Sequence, residues 1–194
     1  EGQAYVGSLG VLLAAALFAQ YLPSLLVIIL CICCSALFGA AWAIIPGYLQ
    51  AKRGSHIVIT TIMFNFLASS LMVWLLSGIL MEKGQQSPQS NLLPESIRLP
   101  KVQDAFEFLG VNISSSPMNL SFIVALIALL LFWILIWKTR LGYEIRAVGK
   151  NQDAATYAGI NVSRIIIITM TISGAFAGLL AVNEVMGVQN RVIL

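Results

Sequence analysis

Lys138-Thr-Arg-Leu-Gly-Tyr-Glu-Ile-Arg-Ala-Val-Gly-Lys-Asn-Gln-Asp-Ala-Ala-Thr-Tyr-Ala-Gly-Ile-Asn-Val-Ser-Arg164 is a polar stretch set between two long apolar runs. In it Lys138, Arg140, Arg146, Lys150 and Arg164 outweigh Glu144 and Asp153, the mark of a cytoplasmic loop between membrane spans. The segment Asn151 to Gly159 carries its own start and stop. Asn151 suits an N-cap, Asp153 the positive first turn and Gly159 a left-handed stop, so a short two-turn helix is expected. Such a helix is marginal alone in water and needs a neighbouring surface. Its face of Ala154, Ala155 and Ala158 suits a groove on a partner, with Arg146 and Lys150 available to acidic groups there. A helix lying at headgroup level is the other reading.

The whole chain is 59% hydrophobic, with 10% charged residues and a mean hydropathy of +0.90. Soluble domains carry about 25% charge. Nearly every charge falls between the apolar runs because an ion in hydrocarbon costs on the order of 2.5 to 3.5 kcal/mol. The net charge of +3 sits beside hydrophobic spans and not on a soluble face, which argues against a nucleic-acid partner. Cys31, Cys33 and Cys34 lie inside an apolar run and read as small buried hydrophobes. The single histidine, His56, is far from them and reads as a loop residue, so no metal site or disulfide framework is expected. With Glu1-Gly2-Gln3 at its start, no leader and no polar tail at Leu194, the chain reads as a fragment.

A hydrocarbon core of about 30 Å needs about 20 helical residues. Five runs qualify as candidate spans: Ala4 to Gln20, Ser24 to Pro46, Ile57 to Met81, Leu120 to Trp137 and Ile165 to Met186. They are apolar on all sides, which excludes the alternation of membrane strands. The expected fold is an all-α polytopic membrane protein, one transmembrane domain over residues 1–194. Lys52 and Arg53 join the second and third spans and the basic loop 138–164 joins the fourth and fifth, so both loops face the cytoplasm. Parity then puts 82–118, rich in Ser, Pro, Asn and Gln, outside. Within that outer loop Val102 to Leu109 is an expected amphipathic turn, and the loop is either a connector or a docking cap.

Gly174-Ala-Phe-Ala-Gly178 is a small-xxx-small pattern that lets helix backbones approach, and Gly39, Ala40, Ala41 and Ala43 offer a second small face. Thr60, Thr61 and Asn65 are polar groups in or near an apolar span, with Thr61 and Asn65 on one face. They either bond between helices or line a solute path. Glu184, next to Asn183, is read as snorkelling to the outer interface.

The loop also resembles a family, the permease subunits of bacterial ABC importers for branched-chain amino acids, ribose-type sugars and nucleosides. That family's loop reads like Gly-x-x-Ile-Arg-Ala-x-Gly-x-Asn-x-x-Ala-Ala-x-x-x-Gly-Ile, and Gly142, Ile145, Arg146, Ala147, Gly149, Asn151, Ala154, Ala155, Gly159 and Ile160 occupy those places. The resemblance implies a coupling helix at Asn151 to Gly159 that docks on an ATP-hydrolysing subunit, with Gly142, Arg146, Gly149, Asn151, Asp153, Ala154, Ala155, Ala158 and Gly159 as the coupling residues. Two stretches resemble the simple-sugar and nucleoside branch: Glu1-Gly2-Gln3, and Val58-Ile59-Thr60-Thr61-Ile62-Met63-Phe64-Asn65. Together they give an expected solute path at Glu1, Gln3, Thr60, Thr61 and Asn65.

The expectation is a multi-pass permease of the bacterial inner membrane that imports a small polar solute, nucleoside or simple sugar, by alternating access. The resemblance implies an ATPase subunit, a second permease subunit and an extracytoplasmic solute-binding protein as partners, with lipid around them. ATP is used by the partner, and this chain binds no cofactor and performs no chemistry. An ion-driven carrier would need mid-membrane ionisable groups, and a membrane-embedded enzyme a His, Asp or metal constellation. The spans supply almost no ionisable groups, and there is one loop His and no intramembrane Asp.

Overall fold

Where every side of a segment is apolar and water is absent, the backbone satisfies its own N–H and C=O groups by forming helix. A computed structural model of the chain describes residues 2–78, 80, 89–101 and 119–193. Its helices are α1 (Gly2–Phe18), α2 (Ser24–Arg53), α3 (Ile57–Ser77), α4 (Ser121–Lys138), α5 (Arg140–Lys150), α6 (Gln152–Tyr157), α7 (Val162–Gly178) and the short α8 (Leu180–Val182), which runs into a π-helical turn, Asn183–Val188. Glu1, the turn expected at Val102 to Leu109 and most of 82–118 lie outside the described residues.

Among the described residues α2, α3, α4 and the continuous run Val162–Val188 are long and apolar enough to cross a membrane. The fifth apolar helix, α1, has 17 residues and so covers about 25 Å. The chain is therefore an all-α polytopic membrane protein. Helix ends differ from the sequence expectation for physical reasons. α2 runs through buried Pro46 to Arg53, since packed neighbours make proline tolerable in a membrane helix. Lys52 and Arg53 in its last turn complement the helix dipole. The third helix stops at Ser77, and the last one starts at Val162, where the Asn161 side chain accepts from the Arg164 N–H at 3.1 Å.

The interior is built on α2 and α7, which lie antiparallel. Ser35, Gly39, Ala43 and Gly47 recur every four residues on α2 and are all buried. Gly174 and Gly178 of α7 face them. A Cβ on Gly174 would stand 2.6 Å from the Gly39 carbonyl oxygen, and one on Gly39 would stand 2.8 Å from the Gly178 Cα. Backbone touches backbone here. α1 joins the same point, since a Cβ on Gly7 would come within 2.9 Å of the Gly178 oxygen. The Ser35 hydroxyl donates to that oxygen.

One end of the bundle holds both basic loops. The Ser163 hydroxyl donates to the Ala51 carbonyl at 3.2 Å, which ties the first turn of α7 to the last of α2. The opposite end holds the main apolar core, where Val27, Met72, Leu76, Ile97 and Met186 are fully buried. Residues 89–101 strap across it: Leu93 N–H donates to Asn190 O at 2.8 Å and Leu99 N–H to Met186 O at 2.9 Å. α4 stands apart, with no buried residue along its length. An apolar groove of about 980 Å³ separates it from α7.

Candidate functional site

The basic end is an elbow of four helices joined by side-chain caps. The Thr139 hydroxyl accepts from the Gly142 N–H at 3.1 Å and starts α5. The Asn151 side chain accepts from the N–H groups of Asp153 and Ala154 at 2.9 and 3.0 Å and starts α6. Asn161 starts α7 in the same way. The chain turns at each cap because a residue in extended geometry closes the donors of the next helix. Sequence reading recognised Asn151 and passed over Thr139 and Asn161. A Thr or Asn that follows a basic or glycine-terminated turn is the signal that was present.

α6 is the expected short helix, within a residue or two of the expected limits. Gly159, at φ 80°, ends it. The N–H of Gly159 bonds to Thr156 O at 3.0 Å and that of Ile160 to Ala155 O at 3.0 Å, the paired closure of a Schellman motif. The smooth face divides. Ala155 is buried against Val148 and Ile165, whereas Ala154 and Ala158 are exposed. Ala155 therefore pins α6 to α5 and α7, and the other side is open. Tyr157 dominates that side at 95% exposure, beside exposed Gln152, Asp153 and Thr156. Sequence reading missed Tyr157, although a residue two places from an inward Ala155 must point nearly opposite on a helix.

The other residues of the expected coupling set also divide. The Arg146 guanidinium lies 4.5 Å from the centroid of Trp137 and its Nε donates to Gly142 O at 3.4 Å, so its charge is engaged within the chain. Lys150 is exposed. A Cβ on Gly142 would strike the Leu135 and Ile136 carbonyls, so this glycine lets α5 fold back on α4. Gly149 and Asn151 are exposed, and open space surrounds the Gly149 Cα.

Of the expected solute path, the structure brings together the start of α1 and α3. The Gly2 N–H donates to Asn65 Oδ1 at 2.9 Å, so α1 starts beside α3 partway along its length. The Thr60 hydroxyl donates to His56 O at 3.0 Å and that of Thr61 to Ile57 O at 2.9 Å. Both threonines thus serve their own helix, and Asn65 joins two helices. His56 stands in the turn before α3. The Cys31 thiol is buried and donates to Val11 O at 3.8 Å, the packing role expected of all three cysteines, whereas Cys33 is exposed on the outside of α2 and Cys34 is half-buried.

Fold and site together define a polytopic membrane bundle of helices that carries a short capped helix at its basic end. The chain belongs to the family described as branched-chain amino acid transport system / permease component, whose pattern matches residues 1–193. It is 34% identical over 187 residues, 96% of this chain, to the guanosine ABC transporter permease protein NupP of Bacillus subtilis. It is 35% identical over 181 residues, 92% of this chain, to the nucleoside ABC transporter permease protein NupB of Lactococcus lactis. It is 31% identical over 150 residues, 76% of this chain and 41% of that protein, to the ribose import permease protein RbsC of Escherichia coli. The chain spans about half the length of the first two relatives, 51% and 48%. No solved structure matches it.

Proposed function

We propose that this chain is part of the transmembrane permease of an ATP-driven importer for a small polar solute, a nucleoside or simple sugar, in a bacterial inner membrane. The observation that carries this reading is α6. It is capped at both ends, fixed on one side through Ala155 and open on the other through Tyr157. A rod held that way moves with α7 when it is pushed, and α7 reaches the opposite end of the bundle through its seam with α2. An ATPase that docks on α6 from the cytoplasm thus works on a lever, and alternating access is the response of the bundle. The reading includes a second permease subunit to complete the path and a solute-binding protein on the opposite face, at the strap 89–101. ATP is hydrolysed by the partner, and this chain contributes shape and not chemistry. The identities to permeases named for guanosine, nucleosides and ribose support the solute class.

Tyr157→Ala and Ala155→Asp test the docking face in the complete assembly. Tyr157→Ala is expected to weaken capture of the ATPase by about 2 kcal/mol, roughly thirtyfold, with thermal stability unchanged. Ala155→Asp buries an uncompensated charge and is expected to lower both stability and capture. Undiminished capture by the Tyr157→Ala permease overturns docking on this face.

A further inference from the structure

The end of the bundle opposite the basic loops contains a feature that the coupling mechanism does not use. After α8 the backbone widens into the π turn, and Gln189 N–H reaches back to Glu184 O at 2.9 Å. Such turns are rare and recur at functional sites, because the extra residue re-aims side chains and releases a carbonyl from the regular ladder. Both consequences are present. The Met186 carbonyl is taken by Leu99 N–H of the strap. Val185 and Met186 turn into the core, while Glu184, Val188 and Gln189 turn out of it.

Between the outward side of this turn and the first turns of α1 is a cleft of about 290 Å³, where Tyr5, Glu184, Gln189 and Arg191 meet over apolar walls from Ala181 and Val185. Apolar walls with a few convergent polar groups are the usual make-up of a small-molecule site, and this volume is at the small end of the range of about 300 to 1,000 Å³. Glu184 and Arg191 share the cleft, yet no ion pair joins them among the described residues. Their opposite charges leave the cleft without net charge. The Gln189 amide lies 3.5 Å from the Glu184 carboxylate. Acceptor and donor side by side match adjacent hydroxyl groups, each of which both donates and accepts.

We infer that this cleft is a solute station for a neutral polyhydroxylated ligand, a sugar ring either free or as the ribose of a nucleoside. Glu184 and Gln189 grip neighbouring hydroxyls, Arg191 supplies a second donor and the Tyr5 ring forms a wall. The inference rests on the importer reading, for which it names the place where solute first meets the permease. It also assigns Glu184 a role other than snorkelling to the interface. Because Leu99 and Met186 tie the strap to the same turn, a protein that binds the strap acts directly on the cleft.

The test uses the complete assembly in proteoliposomes. Ile193→Cys, on the exposed rim of the cleft and outside the gripping groups, is labelled with a membrane-impermeant maleimide, with the unaltered chain as the background for its own cysteines. Ribose and guanosine are expected to slow labelling severalfold, and leucine is expected to have no effect. Protection by leucine alone, or by none of the three, overturns the assignment. In parallel, Glu184→Gln is expected to cut ATP-driven uptake of ribose or guanosine by roughly tenfold or more, the weight of one charge-assisted hydrogen bond. Thermal stability of the assembly should stay unchanged, since Glu184 is exposed. Uptake unchanged, or uptake and stability falling together, removes the cleft from the path. An unaltered assembly whose uptake does not depend on ATP overturns the importer reading itself, an outcome distinct from either of these.

Discussion

Along α7 the half around Gly174 and Gly178 is held to α2 by backbone touching backbone, whereas its first turn, capped by its own Asn161, is held to α6 by a small buried patch of Val148, Ala155 and Ile165. In the membrane interior, apolar side chains gain nothing by meeting each other in preference to lipid, so close fit has to supply the attraction. At the basic end water competes for every polar group, so directed hydrogen bonds and a few buried carbons set the geometry. The seam is consequently intolerant of added atoms, and the elbow is sensitive to lost ones. The two together make α7 a single rigid link from the loop end of the bundle to the π turn.

The comparison breaks most readily at the seam. Gly178→Leu drives a side chain into the Ser35 carbonyl and should cost about 3 kcal/mol or more. The check is loss of a monodisperse, folded protein in detergent, and normal thermal stability would show that α2 and α7 are free to separate. Asn151→Ala removes two N-cap bonds at the elbow and should cost about 1 kcal/mol locally. Hydrogen exchange at Asp153 and Ala154 should speed up accordingly, with the seam unaffected. The smallest effect sharpens the contrast. Ser35→Ala deletes the seam's buried hydroxyl bond but keeps its shape, so a loss of only about 0.6 kcal/mol is expected in denaturant unfolding. A loss several times larger would mean that hydrogen bonding, and not fit, holds the interior.

Much of this contrast was legible in the sequence. The Gly174 and Gly178 pair announced a close helix approach, and Asn151 and Gly159 announced the two ends of α6. The partner of the seam was half visible, since Gly39 and Ala43 stood out but Ser35 and Gly47, which complete the stripe, did not. α5 was not foreseen, because its sequence Arg140 to Lys150 mixes charges and glycines that read as loop until Thr139 caps it and Arg146 settles on Trp137. The three alanines of α6 formed one smooth face on paper. The fold gave Ala155 to the interior and left Tyr157 outside.

Sequence alone determined that the chain is a bundle of membrane helices, where its basic loops lie and which family it resembles. Those properties depend on local apolarity, on charge and on motifs read along one stretch of chain. Tertiary structure alone decided which side of α6 is open, that Asn65 holds the start of α1, and that Glu184, Gln189 and Arg191 meet Tyr5 across a cleft. Tyr5 is far from the other three in the chain. Which groups share a space depends on how the helices pack, a property of distant pairs that no local pattern encodes.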